Sequence, residues 1–286
     1  LAQYLSAIFI LAPEKRALDI VLDWRLFLIV LASTLTIASG YIINNFYDAK
    51  KDLINRPKKA MIDRLVSQET KLKVYFTINF IVAFLMFFIS WRAMLFFSAY
   101  IFLIWFYSHK LKKMFLIGNI TAAVLAVLPF FGILMYYKNF YEVIFAHATF
   151  LFLLILIREL IKDLENIEGD LISDYKTIPV VFGEKSAKSI ISILTISTIV
   201  PIYFLIEIYN VGYMDIYFYL SLIALLFFCM MLWKATTKTE YLKLHFLLKF
   251  FIPAGWWIGN QLTNSHKSTH NTFVYFNGCF RIKYAA

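Results

Sequence analysis

The chain has 286 residues, 61% hydrophobic, 19% aromatic and 16% charged, with a formal net charge of +10. A soluble domain carries about 25% charged residues, and too few polar side chains are present here to cover a single water-facing core. An ordinary soluble domain, a disordered chain and a disulfide-stapled module are thereby excluded, and composition leaves a polytopic membrane protein.

Residues 1–12 are apolar and read as the back half of a first membrane helix. Further apolar runs predict helices over 24–47, 72–90, 93–107, 116–137, 141–162, 187–208, 214–233 and 241–258. They lack the alternation of membrane-barrel strands. The expected fold is an all-α membrane protein, a polytopic bundle of about nine transmembrane helices. Cys229 lies in an apolar run and Cys279 near the end, without the spacing of a metal or redox motif.

The breaks between runs differ in charge. After the second run come Lys50, Lys51, Arg56, Lys58, Lys59, Arg64, Lys71 and Lys73; after the fourth, Lys110, Lys112 and Lys113. After the sixth come Lys176, Lys185 and Lys188; after the eighth, Lys234, Lys238 and Lys243. The intervening breaks hold Lys15, Arg16 and Arg25, then Arg92, then Lys138, then no basic residue around Asp215. Alternate basic loops place those loops in the cytoplasm by the positive-inside rule, and explain the net charge without a nucleic-acid partner. Long and short basic loops also alternate, which suggests two parallel four-helix units plus a ninth helix. The expected transmembrane domain is 1–258. Residues 259–286 read as a polar tail, disordered or non-native, in which His266 and His270 lack the companions of a metal site.

Two acidic clusters stand out. In the first, Asn44, Asp48 and Asp52 follow a spacing of four and share one helical face. In the second, Asp163, Asn166, Asp170 and Asp174 follow steps of three, four and four, with Glu159 one turn earlier. Glu165 and Glu168 fall off that stripe and read as solvent-facing or lysine-paired. Either cluster alone is compatible with a charged helix end. Both, however, follow even-numbered runs and so lie on one side of the membrane. Clustered carboxylates near low dielectric are unfavourable unless a cation neutralises them. Hard oxygens of this kind suit Mg²⁺, which completes its shell with substrate phosphates. Arg56, Lys112, Lys113 and Lys176 suit an anion. Metal, positive charge and an apolar cavity together point to a polyprenyl diphosphate, with the bilayer as the surrounding partner.

These residues resemble the UbiA superfamily of intramembrane prenyltransferases. Asn44-Asn45-x-x-Asp48-x-x-x-Asp52 is similar to its N-D-x-x-D-x-x-x-D motif, with Asn45 in place of the Asp. Asn166-x-x-x-Asp170 falls where a D-x-x-x-D motif is expected, and Asp163 lies one turn before it. Tyr107 with Lys112 and Lys113, and Lys176-Thr177 before Gly183, are also family-like. The resemblance implies a nine-helix bundle in which Asn44, Asp48, Asp52, Asp163 and Asp170 hold Mg²⁺ and diphosphate. Arg56, Lys112 and Lys176 would clamp phosphate, the allylic C–O bond would ionise, and an acceptor would attack C1. The stretches 52–57 and 162–170 look most like the branch that geranylgeranylates glyceryl phosphate ethers. Other members prenylate aromatic quinone precursors such as 4-hydroxybenzoate or a naphthoate. The implied location is an integral membrane protein, in the plasma membrane if prokaryotic, with the site on the cytoplasmic side. An inactive scaffold and a secondary transporter are the competing classes; a transporter site is expected near the bilayer midplane, away from helix ends.

Overall fold

The computed structural model describes residues 2–12, 15–55, 57–138, 140–209, 211 and 214–250. Among these residues every regular element is helical. The chain begins with α1 (Ala2–Ser6), continued by a π turn (Ala7–Leu11), and a short α2 (Ala17–Val21). The long α3 (Trp24–Asn55) is followed by α4 (Pro57–Asp63), α5 (Gln68–Ile89), α6 (Trp91–His109) and a 3-10 turn (Leu111–Lys113). Next come α7 (Ile117–Tyr137), α8 (Glu142–Glu165), a short α9 (Ile167–Ile172) and α10 (Ile178–Ser197). After these come α11 (Ile199–Tyr203), continued by a π turn (Phe204–Ile208), α12 (Met214–Lys234), and α13 over 238–250.

Seven helices among the described residues are long and apolar enough to span a membrane: Trp24–Ala49, Gln68–Ile89, Trp91–His109, Ile117–Tyr137, Glu142–Glu165, Ile178–Ile208 and Met214–Lys234. The first predicted run appears as α1 with its π turn, and the last as α13 through residue 250. The remainder of that run and the tail over 259–286 lie outside the described residues. The sixth of the seven spans begins earlier than the predicted 187–208, because its charges are absorbed locally. Lys188 pairs with Glu184 at 2.8 Å and donates to the Ala235 carbonyl at 2.6 Å. Gly183, at φ 83°, kinks this span five residues after its start.

Burial separates the helices. The apolar window of α8 is 56% buried against 17% for α5, so α8 is central and α5 a lipid-facing flank. One core joins α3, α5 and α6 through Ile43, Tyr75, Val82, Phe97 and Ile104. Another joins α8, α10, α12 and α13 through Ile157, Leu160, Ile191, Phe228 and Leu244. Helix α7 bridges them, packing on both α6 and α8. Its Pro129 has no N–H, so the Leu125 carbonyl lacks its helical donor. The Tyr100 hydroxyl supplies the bond instead, at 3.0 Å.

Side-chain links gather the basic connections at one end. Lys112 reaches α3 at Asp48, Lys176 N–H donates to the Lys113 carbonyl at 3.1 Å, and Lys238 Nζ donates to the Asn55 carbonyl at 3.2 Å. At the other end Tyr136 donates to Asp23 at 2.6 Å, and Lys15 lies over the Tyr137 ring at 5.2 Å. The chain is an integral, multi-pass membrane protein by these spans.

Candidate active site

The site begins with the length of α3. A membrane span needs about 20 residues, and α3 has 32, so its last turns project beyond the apolar part. Asn44 and Asp48 at the end of the span and Lys51, Asp52 and Asn55 beyond it share one face, and all five line a single cavity. Across it stand Glu159, Lys162, Asp163 and Asn166 from the end of α8. Tyr107, Lys112, Asn119, Tyr175 and Thr177 close the remaining walls. The two acidic clusters, over a hundred residues apart in sequence, thus face each other across one space.

Lysines hold the carboxylates. Lys112 Nζ donates to Asp48 Oδ1 at 2.6 Å and to Asn44 Oδ1 at 3.2 Å. The Tyr175 hydroxyl donates to the same Asp48 oxygen at 2.7 Å. Lys112 is buried on a tight turn fixed by Gly118, where a Cβ would come within 3.0 Å of the Leu111 carbonyl. Burial lowers the Lys112 pKa, and Asp48 opposes that shift. Burial raises the Tyr175 phenol, with the Asp48 charge adding to it, so Tyr175 remains a donor. Lys59 donates to Asp52 at 3.2 Å and to Asn45 at 2.9 Å. On α8, Glu159 accepts from Arg158 and Lys162, each at 2.9 Å, and Asp163 accepts from Asn119 at 2.7 Å.

Asp170 lies on α9, fully buried, in an ion pair with Lys51 and with the Thr177 hydroxyl as a second neighbour. Burial pushes its pKa up, with Lys51 opposing. Lys51 Nζ also sits 4.2 Å from the centre of the Tyr175 ring. Gly169 lets α9 approach α3, since a Cβ there would collide with the Asn55 side chain.

The helical phase predicted for the second cluster is interrupted. Asn166 ends α8 at φ −116°, its Nδ2 donating to the Lys162 carbonyl at 2.6 Å, and the chain restarts as α9. Asp163, Asn166 and Asp170 stay near the cavity, but α9 ends at Ile172 and Asp174 (φ 55°) is exposed away from it. Lys113 and Lys176 are exposed and do not line the cavity; Lys113 lies 5.6 Å from the Tyr175 ring centre. Arg56 lies outside the described residues. Glu168 is exposed, as expected. Glu165 is not: it is buried, with His245 Nδ1 at 3.0 Å, because the turn that breaks α8 points it towards α13. Sequence reasoning missed Lys51, Lys59, Asn119, Lys162 and Tyr175 as cavity residues, and placed Glu159 beside the second cluster without a role. Lys162 and Glu159 share a helical turn with Asp163, which was a readable signal; Asn119 and Tyr175 carry none.

No three His, Cys, Asp or Glu side chains among the described residues converge closely enough to chelate an ion by themselves. The donor set nevertheless fits Mg²⁺: carboxylate and amide oxygens, all hard, gather around one cavity. Substrate phosphates would complete such a shell.

A model of the UbiA prenyltransferase family matches residues 4–252. A protein named digeranylgeranylglyceryl phosphate synthase from Methanobrevibacter smithii is 27% identical over 266 residues, covering 85% of this chain and 89% of its own. A solved apo UbiA homolog from Aeropyrum pernix K1 superposes with a TM-score of 0.71 at 15% identity, over 90% of this chain and 95% of that one. A UbiA homolog from Archaeoglobus fulgidus bound to GPP and Mg²⁺ superposes at 0.60, with 17% identity over 81% and 87%.

Proposed function

The chain belongs to the UbiA prenyltransferase family, and from that premise we propose that it transfers a prenyl group, in the presence of Mg²⁺, from geranylgeranyl diphosphate to geranylgeranylglyceryl phosphate. The observation that carries this reading is the single cavity lined by both acidic helix ends and by Lys51 and Lys112. The name of the Methanobrevibacter smithii relative favours the glyceryl phosphate acceptor over an aromatic one.

Asn44, Asp48, Asp52, Asp163, Asn166 and Asp170 would hold Mg²⁺. Bound there, the metal supplies positive charge to the diphosphate as it departs. Lys112 and Lys51 exchange their carboxylate partners for phosphate oxygens, which conserves charge in the cavity. Tyr175 keeps its proton and orients Asp48, and Tyr107 forms part of the wall beside the substrate. Lys113 and Lys176 act from the rim as cations that attract an anionic substrate, and Arg56 is a further cation for the phosphate. The bond from C1 of the prenyl chain to the diphosphate oxygen breaks, and its electron pair leaves on the diphosphate. The acceptor hydroxyl oxygen bonds to C1, and its proton passes to the released diphosphate. The site faces the cytoplasm, in the plasma membrane if the source is prokaryotic, because the basic connections gather at its end of the bundle.

Purified protein in nanodiscs, given Mg²⁺ and radiolabelled geranylgeranyl diphosphate, tests this. Labelled product with geranylgeranylglyceryl phosphate is expected. Product only with 4-hydroxybenzoate or a naphthoate would overturn the acceptor, and no Mg²⁺-dependent turnover with any acceptor would leave a scaffold.

A further inference from the structure

A second cavity, of about 200 Å³, opens beside the first between the end of α3, α4 and the start of α5. Asn45, Asp52, Asp63, Arg64, Gln68 and Lys71 supply its polar wall. Lys59 Nζ lies 3.2 Å from Asp52 and 4.0 Å from Asp63, so a single ammonium faces both carboxylates of that wall. Arg64 and Lys71 make no ion pair among the described residues, and with Lys59 three cations stand against the two carboxylates, which leaves one net positive charge around the hollow. Asn45 adds none of the negative charge that the family motif's Asp would bring to this position. Its oxygen accepts from Lys59 at 2.9 Å. A guanidinium and an ammonium converging on a water-accessible hollow suit the oxygens of a phosphate monoester.

Position gives this chemistry a role. Asp52 lines both cavities, and Lys59 lines the first while bonding Asn45 in the second. The two spaces therefore adjoin at a partition that includes Asp52 and Lys59. A glyceryl phosphate with its phosphate in the second cavity would present its hydroxyl at this partition, towards the prenyl diphosphate in the first. We infer that the second cavity is the acceptor's phosphate subsite, with Arg64 and Lys71 as its ligands. The inference rests on the glyceryl phosphate reading above and deepens it.

The test compares wild type with Arg64→Gln/Lys71→Gln in phosphatidylcholine nanodiscs, varying geranylgeranylglyceryl phosphate and geranylgeranyl diphosphate in turn. Charge-assisted hydrogen bonds of this kind predict an acceptor KM raised about tenfold or more. Donor KM should stay within about twofold, and Arg64→Lys should recover part of the loss. An unchanged acceptor KM in an active variant would overturn the subsite alone. A wild type that prenylates only aromatic acceptors would overturn the function and the subsite together. A loss seen only when phosphatidylglycerol is added would assign the cavity to a bilayer headgroup and overturn the acceptor assignment. Both substituted residues border water, and a folded variant is verified by its elution profile and melting curve.

Discussion

Asp170 carries the sharpest conflict in the site. It is fully buried, and burial raises its pKa even with Lys51 beside it. A raised carboxylate pKa means that its contribution to stability is complete below the unfolded value and is lost as pH rises through the folded one. At neutral pH the charged form is therefore a burden on the fold that a bound cation would relieve. Asp170→Asn should melt higher than wild type at neutral pH, and the difference should fade on acidification from about pH 7 to pH 4. The same variant should lose turnover, and titration calorimetry should show weakened Mg²⁺ binding. A variant with wild-type rate would remove Asp170 from the mechanism. Glu165 is a contrasting case. Off the ligand stripe, it reads from sequence as a tolerant surface position, yet it is buried against His245. Glu165→Ala should destabilise the fold by about 1–3 kcal/mol through an unpaired buried partner, measured as a lower melting temperature.

At the scale of elements, the break between α8 and α9 makes the site. A continuous helix would have carried Asp174 onto the ligand face; the stop at Asn166 and restart at Ile167 instead seat Asp170 against α3. Gly169 permits that seat, because any Cβ would strike Asn55. Gly169→Ala should cost about 1–3 kcal/mol by overpacking and weaken Mg²⁺ binding, since the Asn55 side chain or α9 must shift. Gly183→Ala is the control. Its surroundings are open, and only its φ of 83° is strained. That change should cost about 1–3 kcal/mol, because φ 83° with ψ 167° is a region open essentially to glycine alone, and leave Mg²⁺ affinity alone. If both glycines affected metal binding equally, the close approach of α9 would not be what places Asp170.

At the scale of the molecule, the bundle separates its ends by charge. The basic connections meet around the cavity, while Asp23, Tyr136 and the Lys15–Tyr137 contact mark the opposite end. In a variant with Cys229 and Cys279 replaced by serine, new cysteines at Lys113 and Lys185 should react with a membrane-impermeant maleimide only from the cytoplasmic side. Cysteines at Arg92 and Lys138 should react only from the other. All four positions are exposed. Labelling of Lys113Cys and Lys185Cys from opposite faces would dismantle the proposed site.

Sequence alone determined the class of the molecule. Runs of about 20 apolar residues can only be helices in a bilayer, where each backbone group must find its partner within the segment. The alternation of basic loops likewise carries the proposed orientation, and the spacing of Asn44, Asp48 and Asp52 put three proposed ligands on one helical face, because a continuous helix carries its phase through α3. The opposite face was different. Its phase is broken at Asn166 by a local hydrogen bond to the Lys162 carbonyl, and periodicity cannot see such a break. The roles of Lys51, Asn119 and Tyr175, the burial of Glu165 and the second cavity beside Asp52 all depend on contacts between segments far apart in the chain. Only the packing of α8, α9 and α13 against α3 and their neighbours decided them, since which charges share a low-dielectric space is a property of distance in the fold and not of spacing along the sequence.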